Sequence, residues 1–187
     1  MDGIDGIAGI TGIIGFGMIG FYASNFAINT PLSQLAICIS MSCMGFLPFN
    51  IPKARVFMGD VGSILLGFVF SSMTVYISES LIDFICISSF LFPFYADEIT
   101  TMIVRLKDGE NLTKAHRRHL YQLLANECKL SHWKISVGYG LFQLLVATSI
   151  IILKDMGLIF VISFLVFCIG SFTLFSFIFR KKIRHFA

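Results

Sequence analysis

The stretch Phe-Met-Gly-Asp-Val-Gly-Ser at residues 57–63 is a polar, glycine-containing turn directly before the apolar run at residues 64–77. Asp60 occupies the position where a helix N-cap is expected, and the first backbone N–H groups of a helix have no partner inside it. Gly59 and Gly62 leave this backbone bare. The pattern suits a phosphate held by N–H groups and the helix dipole, with Asp60 binding a divalent cation. The alternative is that Asp60 only caps a helix.

The composition identifies the broad class of the chain. Of its 187 residues, 56% are hydrophobic and 13% charged, and the mean hydropathy is +0.85, far from the averages of soluble proteins. Six apolar stretches reach or approach the about 20 residues that a helix needs to cross a bilayer. They are residues 7–28, 32–49, 61–78, 81–95 continuing towards 105, 133–153 and 157–179. The sequence predicts an all-α polytopic membrane protein, one domain over residues 1–187, with six transmembrane helices.

The basic residues are distributed unevenly over the segments between these spans. All but one of the 14 Lys and Arg residues fall on the side that holds both termini, and the exception is Lys154. An excess of basic residues marks the cytoplasmic side of a membrane protein. We therefore expect both termini to be cytoplasmic. The net charge of +3 follows from the same bias, and no nucleic-acid partner is expected.

Two carboxylates open the chain. Asp2 and Asp5 are three residues apart, so an early helix start would place both on one face at the cytoplasmic water line. Paired carboxylates suit metal binding, nucleotide binding or proton transfer. Equally, Asp5 would be an N-cap and the Asp-Gly steps a turn.

Two further charged residues lie at the cytoplasmic ends of predicted spans. Lys53 comes a few residues before Asp60, where it would contact a phosphate or simply follow the basic bias of that side. Asp97 lies near the end of the fourth span, and ionisable residues in such segments are costly and indicate function. We expect Asp97 to line the site, where it would orient a basic neighbour.

The longest polar segment, residues 107–131, is predicted to be a cytoplasmic substrate loop. Its sequence predicts Thr113 as an N-cap and an amphipathic helix over residues 114–126. Within that helix His116 and His119 would share one face at the lipid surface.

Two arginines, Arg117 and Arg118, stand between these histidines. Guanidinium groups match phosphate oxygens, and imidazoles gain charge beside a phosphate, so the four side chains suit a pyrophosphate. The alternative is a basic helix on anionic lipid headgroups.

Three motifs together carry a resemblance to a known family. Asp-Gly-Ile-Asp-Gly at residues 2–6, Val-Phe-Met-Gly-Asp-Val-Gly-Ser at 56–63 and His-Arg-Arg-His-Leu-Tyr at 116–121 resemble the polyprenyl-phosphate N-acetylhexosamine-1-phosphate transferases in order and approximate spacing. The resemblance implies transfer of a sugar 1-phosphate from a UDP-N-acetylhexosamine to undecaprenyl phosphate, with release of UMP. It further implies a Mg²⁺-dependent enzyme, with Mn²⁺ as the alternative metal, in the bacterial inner membrane.

The same resemblance assigns roles to residues. It implies that Asp60 is the metal ligand, that Asp2 and Asp5 belong to the nucleotide and metal site, and that the His-Arg-Arg-His motif binds phosphate or sugar. The expected catalytic residues are Asp60, Asp2 and Asp5. The expected substrate-binding residues are Lys53, Gly59, Gly62, Ser63, Asp97, His116, Arg117, Arg118 and His119.

The chain departs from the family in length. Family members are about twice as long and carry further spans and an adjacent aspartate pair on an earlier loop, so the chain resembles a C-terminal half. A separate N-terminal half or a homodimer partner would complete it. The alternative function is an inactive fragment or a non-catalytic six-span transporter or scaffold. A transporter would place polar residues near mid-span, whereas here they gather at the cytoplasmic ends.

The basic motif also bears on the sugar. His-Arg-x-His followed by Leu-Tyr-Gln at residues 116–122 looks more like the branch that initiates O-antigen, capsule and other envelope polysaccharides than the muramoyl-pentapeptide branch. Tyr121 and Gln122 would offer polar contacts to a small sugar. We therefore expect a donor such as UDP-N-acetylglucosamine or a 6-deoxy relative.

Overall fold

The computed structural model describes residues 3–27, 30–114 and 117–186, the last five of these by their backbone alone. Eight α-helices account for most of the described chain, and no strand occurs in it. They are α1 (Ile7–Asn25), α2 (Thr30–Asn50), α3 (Gly59–Ile77), α4 (Leu81–Ser88), α5 (Phe92–Lys107), α6 (Leu120–Asn126), α7 (His132–Lys154) and α8 (Leu158–Phe186). The all-α prediction is confirmed, as expected for a chain whose backbone must satisfy its own hydrogen bonds in lipid.

Five of the described helices are long and apolar enough to cross a membrane: α1, α2, α3, α7 and residues 158–181 of α8. They correspond to five of the six predicted spans, and the chain is a multi-pass membrane protein. The fourth predicted span is not one continuous helix in the structure. There, α4 ends at Ser88 and a short 3-10 turn, Ser89–Leu91, separates it from α5.

Pro93 explains this break. It lies in the first turn of α5, where a residue without an N–H group is tolerated, whereas in a helix interior its ring would clash with the carbonyl four residues earlier. The chain therefore begins a new helix at Phe92. Residues 81–107 together are long enough to return across a bilayer at about 1.5 Å per helical residue, so the shared side of the two termini stays a prediction.

Helix α1 lies at the centre of the bundle and packs against α2, α3, α7 and the 3-10 turn. Its glycines permit the close approach of α2. A Cβ atom at Gly12 would lie 2.8 Å from Cys43 Sγ, and one at Gly20 would lie 2.8 Å from Ile37 Cγ1. Small residues at membrane helix interfaces allow such contacts. The main core includes Phe16, Ile19, Tyr22, Phe70, Phe90, Val146 and Ile150. This packing brings the starts of α1, α3 and α7 to one end of the bundle.

Candidate active site

The turn before α1 is tied to two other elements at this end of the bundle. The Ser136 hydroxyl of α7 donates to the Asp5 carbonyl at 2.8 Å. The Ala54 N–H, in the connection between α2 and α3, donates to the Asp5 carboxylate at 3.2 Å. The Gly6 N–H donates to Asn50 Oδ1 at 2.6 Å. These bonds fix Asp5 between the start of α7 and the segment that leads to α3.

Asp5 faces a histidine that the sequence analysis did not single out. Its carboxylate lies 3.3 Å from His132 Nδ1, and its side chain is 19% exposed. The interpretation of Asp5 as an N-cap is wrong, because Gly6 takes that position with a φ of 85°. A Cβ at Gly6 would run into the Ile51 side chain, so only glycine fits there without strain. Asp2 lies outside the described residues, and its pairing with Asp5 stays a prediction.

Asp60 lies in the first turn of α3 rather than at its N-cap, which is Met58. The helix begins at Gly59, whose φ of 66° favours glycine. No side chain caps this helix, so the interpretation of Asp60 as a cap is wrong. The Asp60 side chain is exposed and makes no hydrogen bond or ion pair with a described residue. It is therefore available to a ligand from the water phase.

The small residues near Asp60 have different surroundings. At Gly59 a Cβ would meet no heavy atom within 4 Å, whereas at Gly62 it would lie 2.5 Å from Met58 Cγ. A side chain would thus find space at Gly59, whereas the expectation that Gly62 is bare is wrong, because the Met58 side chain covers it. Ser63 is buried, and its hydroxyl lies 3.3 Å from the Asp60 carbonyl.

A small cavity of about 30 Å³ is lined by residues from the starts of both α1 and α3. Ser63, one turn after Asp60, lines this cavity together with Ala8 and Thr11 in the first turns of α1. The starts of α1 and α3 are therefore neighbours. Lys53 is exposed and precedes Ala54, whose N–H binds Asp5. The structure thus brings Asp5, Lys53 and Asp60 to the same end of the bundle.

Asp97 is a buried hydrogen-bond acceptor next to the loop at residues 107–131, with a side chain that is 1% exposed. One carboxylate oxygen accepts from the Tyr139 hydroxyl at 2.9 Å. The other accepts from the Leu120 N–H at 2.9 Å and from the Thr101 hydroxyl at 3.2 Å. His119 Nδ1 lies 4.0 Å from the second oxygen. In this conformation Asp97 can act on a substrate only by positioning such neighbours.

The prediction of a helix over residues 114–126 with Thr113 as its N-cap is wrong, because α6 begins at Leu120. The Asn111 side chain accepts from the Thr113 N–H at 2.9 Å and forms a local turn instead. Arg105 is 3% exposed and donates to the carbonyls of Asn111 at 2.6 Å and Lys114 at 3.1 Å. Residues 111–114 thus fold around a guanidinium, not into a helix.

The members of the basic motif take different positions. Arg118 pairs with Asp108 at 2.7 Å and with Glu110, so its guanidinium shapes the loop. Arg117 is exposed and makes no hydrogen bond or ion pair with a described residue. Among the described members of the motif, Arg117 is exposed and the His119 side chain is 16% exposed, so these two are the candidates for contact with a ligand.

His119 itself is held between an acid and an aromatic ring. Its ring stacks on Tyr121 with centroids 5.4 Å apart, and its Nε2 lies 3.6 Å from Glu98 Oε2. These contacts fix the imidazole plane. His116 lies outside the described residues, and its role stays a prediction.

The donor set decides what kind of metal site would fit. In the described ranges no group of three or more His, Cys, Asp or Glu residues is arranged to hold a metal ion. Mg²⁺ usually binds through one or two carboxylates together with substrate phosphates and water, not through a cage of protein ligands. The exposed Asp60 carboxylate fits that mode.

Besides His132, three residues of this end were not predicted as site residues: Asn50, Arg105 and Arg180. Asn50 is 1% exposed; besides binding the Gly6 N–H, it donates to the Val56 carbonyl at 2.8 Å. Arg180 is 7% exposed and donates to the Arg118 carbonyl at 2.7 Å. A polar Asn between two prolines was a visible signal. Nothing in the local sequence distinguishes Arg180 from the basic residues that follow it.

Comparisons with known proteins agree with the resemblance. The family model described as Glycosyl transferase family 4 matches residues 1–78. A phospho-N-acetylmuramoyl-pentapeptide-transferase of Staphylococcus saprophyticus is 32% identical over 155 residues, 79% of this chain and 47% of that protein. Proteins of the same name match at 32% over 88 residues in Bifidobacterium longum and 38% over 81 residues in Staphylococcus aureus. These cover 40% and 43% of this chain, and 24% and 25% of the relatives. No solved structure matches the chain.

The chain spans at most about half the length of these curated relatives. The matched region holds Asp5, Lys53 and Asp60, which the fold brings together at one end of the bundle. Over the part that matches, the chain belongs to the polyprenyl-phosphate N-acetylhexosamine-1-phosphate transferase family.

Proposed function

We propose that the chain takes part in transferring an N-acetylhexosamine 1-phosphate from a UDP-sugar to undecaprenyl phosphate, with release of UMP. The observation that carries this proposal is the exposed Asp60 carboxylate, which no described side chain engages. It stands in the first turn of α3, next to Gly59, where a Cβ would meet no heavy atom within 4 Å. The N-terminus of a helix favours anions such as phosphates. An unpaired carboxylate at the same place favours a cation that binds both the carboxylate and the phosphates.

The reaction is an in-line displacement at phosphorus. A phosphate oxygen of the lipid forms a bond to the β-phosphorus of the UDP-sugar, while the bond from that phosphorus to the bridging oxygen breaks. The bridging oxygen and its electron pair leave with UMP. Because the second pKa of a phosphate monoester is about 6, the lipid phosphate is largely ionised at neutral pH. A strong general base is therefore not required.

The residues of this end then have separate tasks. Asp60 would hold a Mg²⁺ ion, which supplies charge neutralisation for the diphosphate when bound. Arg117 and Lys53 are exposed cations suited to phosphate oxygens. Asp5, fixed by Ala54 and next to His132, is a binding residue of the nucleotide and metal site. Asp97 positions His119 and the start of α6.

We further propose that this end of the bundle is cytoplasmic and that the protein resides in the bacterial plasma membrane. The uneven distribution of basic residues supports the orientation. Because the relatives are longer, activity is expected only with a polypeptide that supplies the remaining length, or with a second copy of the chain.

Two donors are candidates. The basic motif favours a small acetamido sugar for envelope polysaccharides such as O-antigen or capsule. The names of the relatives favour UDP-muramoyl-pentapeptide and cell-wall synthesis. Tyr121 is 5% exposed and stacks on His119, so it offers little to a sugar. Gln122 is half-buried and its side-chain oxygen lies 3.4 Å from the His119 N–H. The small donor is therefore proposed mainly on the motif.

A radiolabelled donor assay tests the proposal. Membranes that contain the chain, produced with and without a polypeptide supplying the remaining length, would receive UDP-N-acetylglucosamine or UDP-muramoyl-pentapeptide and undecaprenyl phosphate. We expect a lipid-linked product that depends on this chain and on added Mg²⁺, and the donor that yields it identifies the branch. Absence of product from both donors in the complemented membranes would refute the proposed transfer.

A further inference from the structure

An apolar groove of about 530 Å³ lies between α6, α7 and α8. We call it the α7–α8 groove. Its lining includes Leu124, Lys134, Gly138, Phe142, Phe172 and Phe175 and contains none of the predicted site residues. The volume is in the range of about 300–1,000 Å³ that is typical of ligand sites. The groove is thus large enough for a ligand that the proposed reaction does not use.

The groove is long and has one rigid wall. From Lys134 to Phe142 it follows eight residues of α7, about 12 Å at 1.5 Å per residue. The rings of Phe142 and Phe172 stack with centroids 6.2 Å apart, and Tyr139 meets Phe172 edge-on at 6.4 Å. At Gly138 a Cβ would find no heavy atom within 4 Å. The groove therefore has the length and open floor that an extended hydrocarbon chain requires.

One cation stands at the end of the groove that faces the membrane interface. Lys134 is exposed, and its Nζ lies 5.7 Å from the centre of the Trp133 ring. Within the described part of the chain Lys134 has no ion pair. Trp side chains are enriched at membrane interfaces, so Trp133 marks the depth of the headgroups. Lys134 can reach a lipid phosphate at that depth.

We propose that the α7–α8 groove binds one anionic glycerophospholipid as a bound structural lipid. An acyl chain lies along Gly138 and Phe142, and the phosphate contacts Lys134. Charge complementarity selects this occupant, because the groove is apolar along its length and cationic at its interfacial end. Leu120 and Leu124 line the same groove, so the lipid also packs against α6, within the loop at residues 107–131, and stabilises it.

Native mass spectrometry of the purified full chain tests this inference. The protein would be mixed with equal amounts of dioleoyl phosphatidylglycerol and dioleoyl phosphatidylcholine, and the retained lipid counted. We expect one retained phosphatidylglycerol in the unmodified chain and loss of it in Gly138→Leu, which fills the groove. Gly45→Leu is the matched control, because its Cβ also enters open space, but on α2. The control should retain the lipid.

Lys134→Gln provides a second variant that leaves the groove open. We expect its preference for phosphatidylglycerol over phosphatidylcholine to fall about fivefold, which corresponds to about 1 kcal/mol for a basic residue near anionic lipid. This variant decides the question if Gly138→Leu fails to fold. Equal retention of phosphatidylglycerol by both groove variants would overturn the proposal. So would displacement of the lipid by equimolar undecaprenyl phosphate, or a dimer that disappears in Gly138→Leu, because either names another occupant.

Discussion

Charged side chains at the two ends of the bundle differ in burial and in bonding partners. At the end where α7 finishes, Asp83 is bound from three sides. The Tyr22 hydroxyl donates to it, the Ser80 hydroxyl donates at 2.6 Å, and Lys154 Nζ lies 2.9 Å away. Lys154 also lies 4.6 Å from the centres of the Tyr22 and Phe26 rings. This group, Tyr22, Ser80, Asp83 and Lys154, is hereafter the outer cluster.

At the end where α7 begins, charged groups of two kinds are mixed. Asp97 is buried and accepts three hydrogen bonds, much like Asp83. Asp60, Lys53 and Arg117 are exposed and engage no described side chain. Burial and bonding partners thus separate charges that hold the fold from charges that are available to a ligand. Residue type and sequence position do not make this distinction.

The largest expected effect concerns the side of the membrane that each end of the bundle faces, which has an all-or-none outcome. We expect a reporter inserted in the loop at Asp108 to be cytoplasmic and one at Lys154 to be external, because the positive charges favour that orientation. The measurement is activity of a reporter that works on one side only, such as alkaline phosphatase. An external signal at Asp108 would separate the exposed charges from cytoplasmic nucleotide sugars and contradict the proposed site.

The next largest effect is expected for Asp60→Asn, which removes a charge while keeping the side-chain shape. In the complemented transferase we expect activity to fall on the order of 1,000-fold, at the upper end of losses for one electrostatic group in a transition state. The thermal unfolding midpoint should change little, since a first-turn acid contributes about 0.3–1 kcal/mol. The measurements are initial rates and thermal melting in detergent.

A matched control for Asp60→Asn is Asp155→Asn, an exposed aspartate at the opposite end of the bundle. It should leave the rate unchanged. If Asp60→Asn retains most of the activity, Asp60 is not the metal ligand.

The sequence predicted the class of fold and most spans, because length and hydropathy are local properties and lipid enforces helices. Pro93 indicates a break in the fourth span, but the apolar run around it predicts a single span. The predicted helix over residues 114–126 is wrong for another reason. Local preference favoured helix from Lys114, yet buried Arg105 binds the carbonyls there, and this tertiary contact has no local signature.

Residues of the candidate site could be proposed from the sequence, but their arrangement could not. Asp60, Lys53 and Asp5 could be chosen because polar groups at span ends are rare in such a chain. The pairing of Asp5 with His132 joins residues 127 positions apart, and nothing in one sequence reports it. Burial likewise could not be read, so Asp97 and Arg118 were grouped with Arg117 although their side chains are already engaged.

Replacing Asp97 by Ala should have its main effect on stability. The change leaves the Tyr139 hydroxyl, the Leu120 N–H and the Thr101 hydroxyl without their acceptor, and it removes the carboxylate that lies 4.0 Å from the Arg180 guanidinium. We expect a loss of about 3–5 kcal/mol, the range for removing one partner of a buried charged pair. The measurement is thermal or denaturant unfolding in detergent. Asp155→Ala should be neutral. A variant of unchanged stability but reduced activity would instead assign Asp97 to direct substrate contact.

The smallest effect is expected in the outer cluster. Lys154→Met removes an ion pair and two ring contacts, but Asp83 keeps its bonds from Tyr22 and Ser80. Because the side chains of Lys154 and Asp83 are 17% and 16% exposed, the pair is neither fully buried nor free in water. We expect a loss of about 1–2 kcal/mol in the free energy of unfolding, between the values of surface and buried pairs, with transferase activity unchanged.

A double-mutant cycle with Asp83→Asn measures the interaction energy of the Lys154–Asp83 pair directly. A coupling near zero would show that the hydroxyl bonds alone hold Asp83, and a loss of activity in Lys154→Met would contradict the division between a structural end and a reactive end.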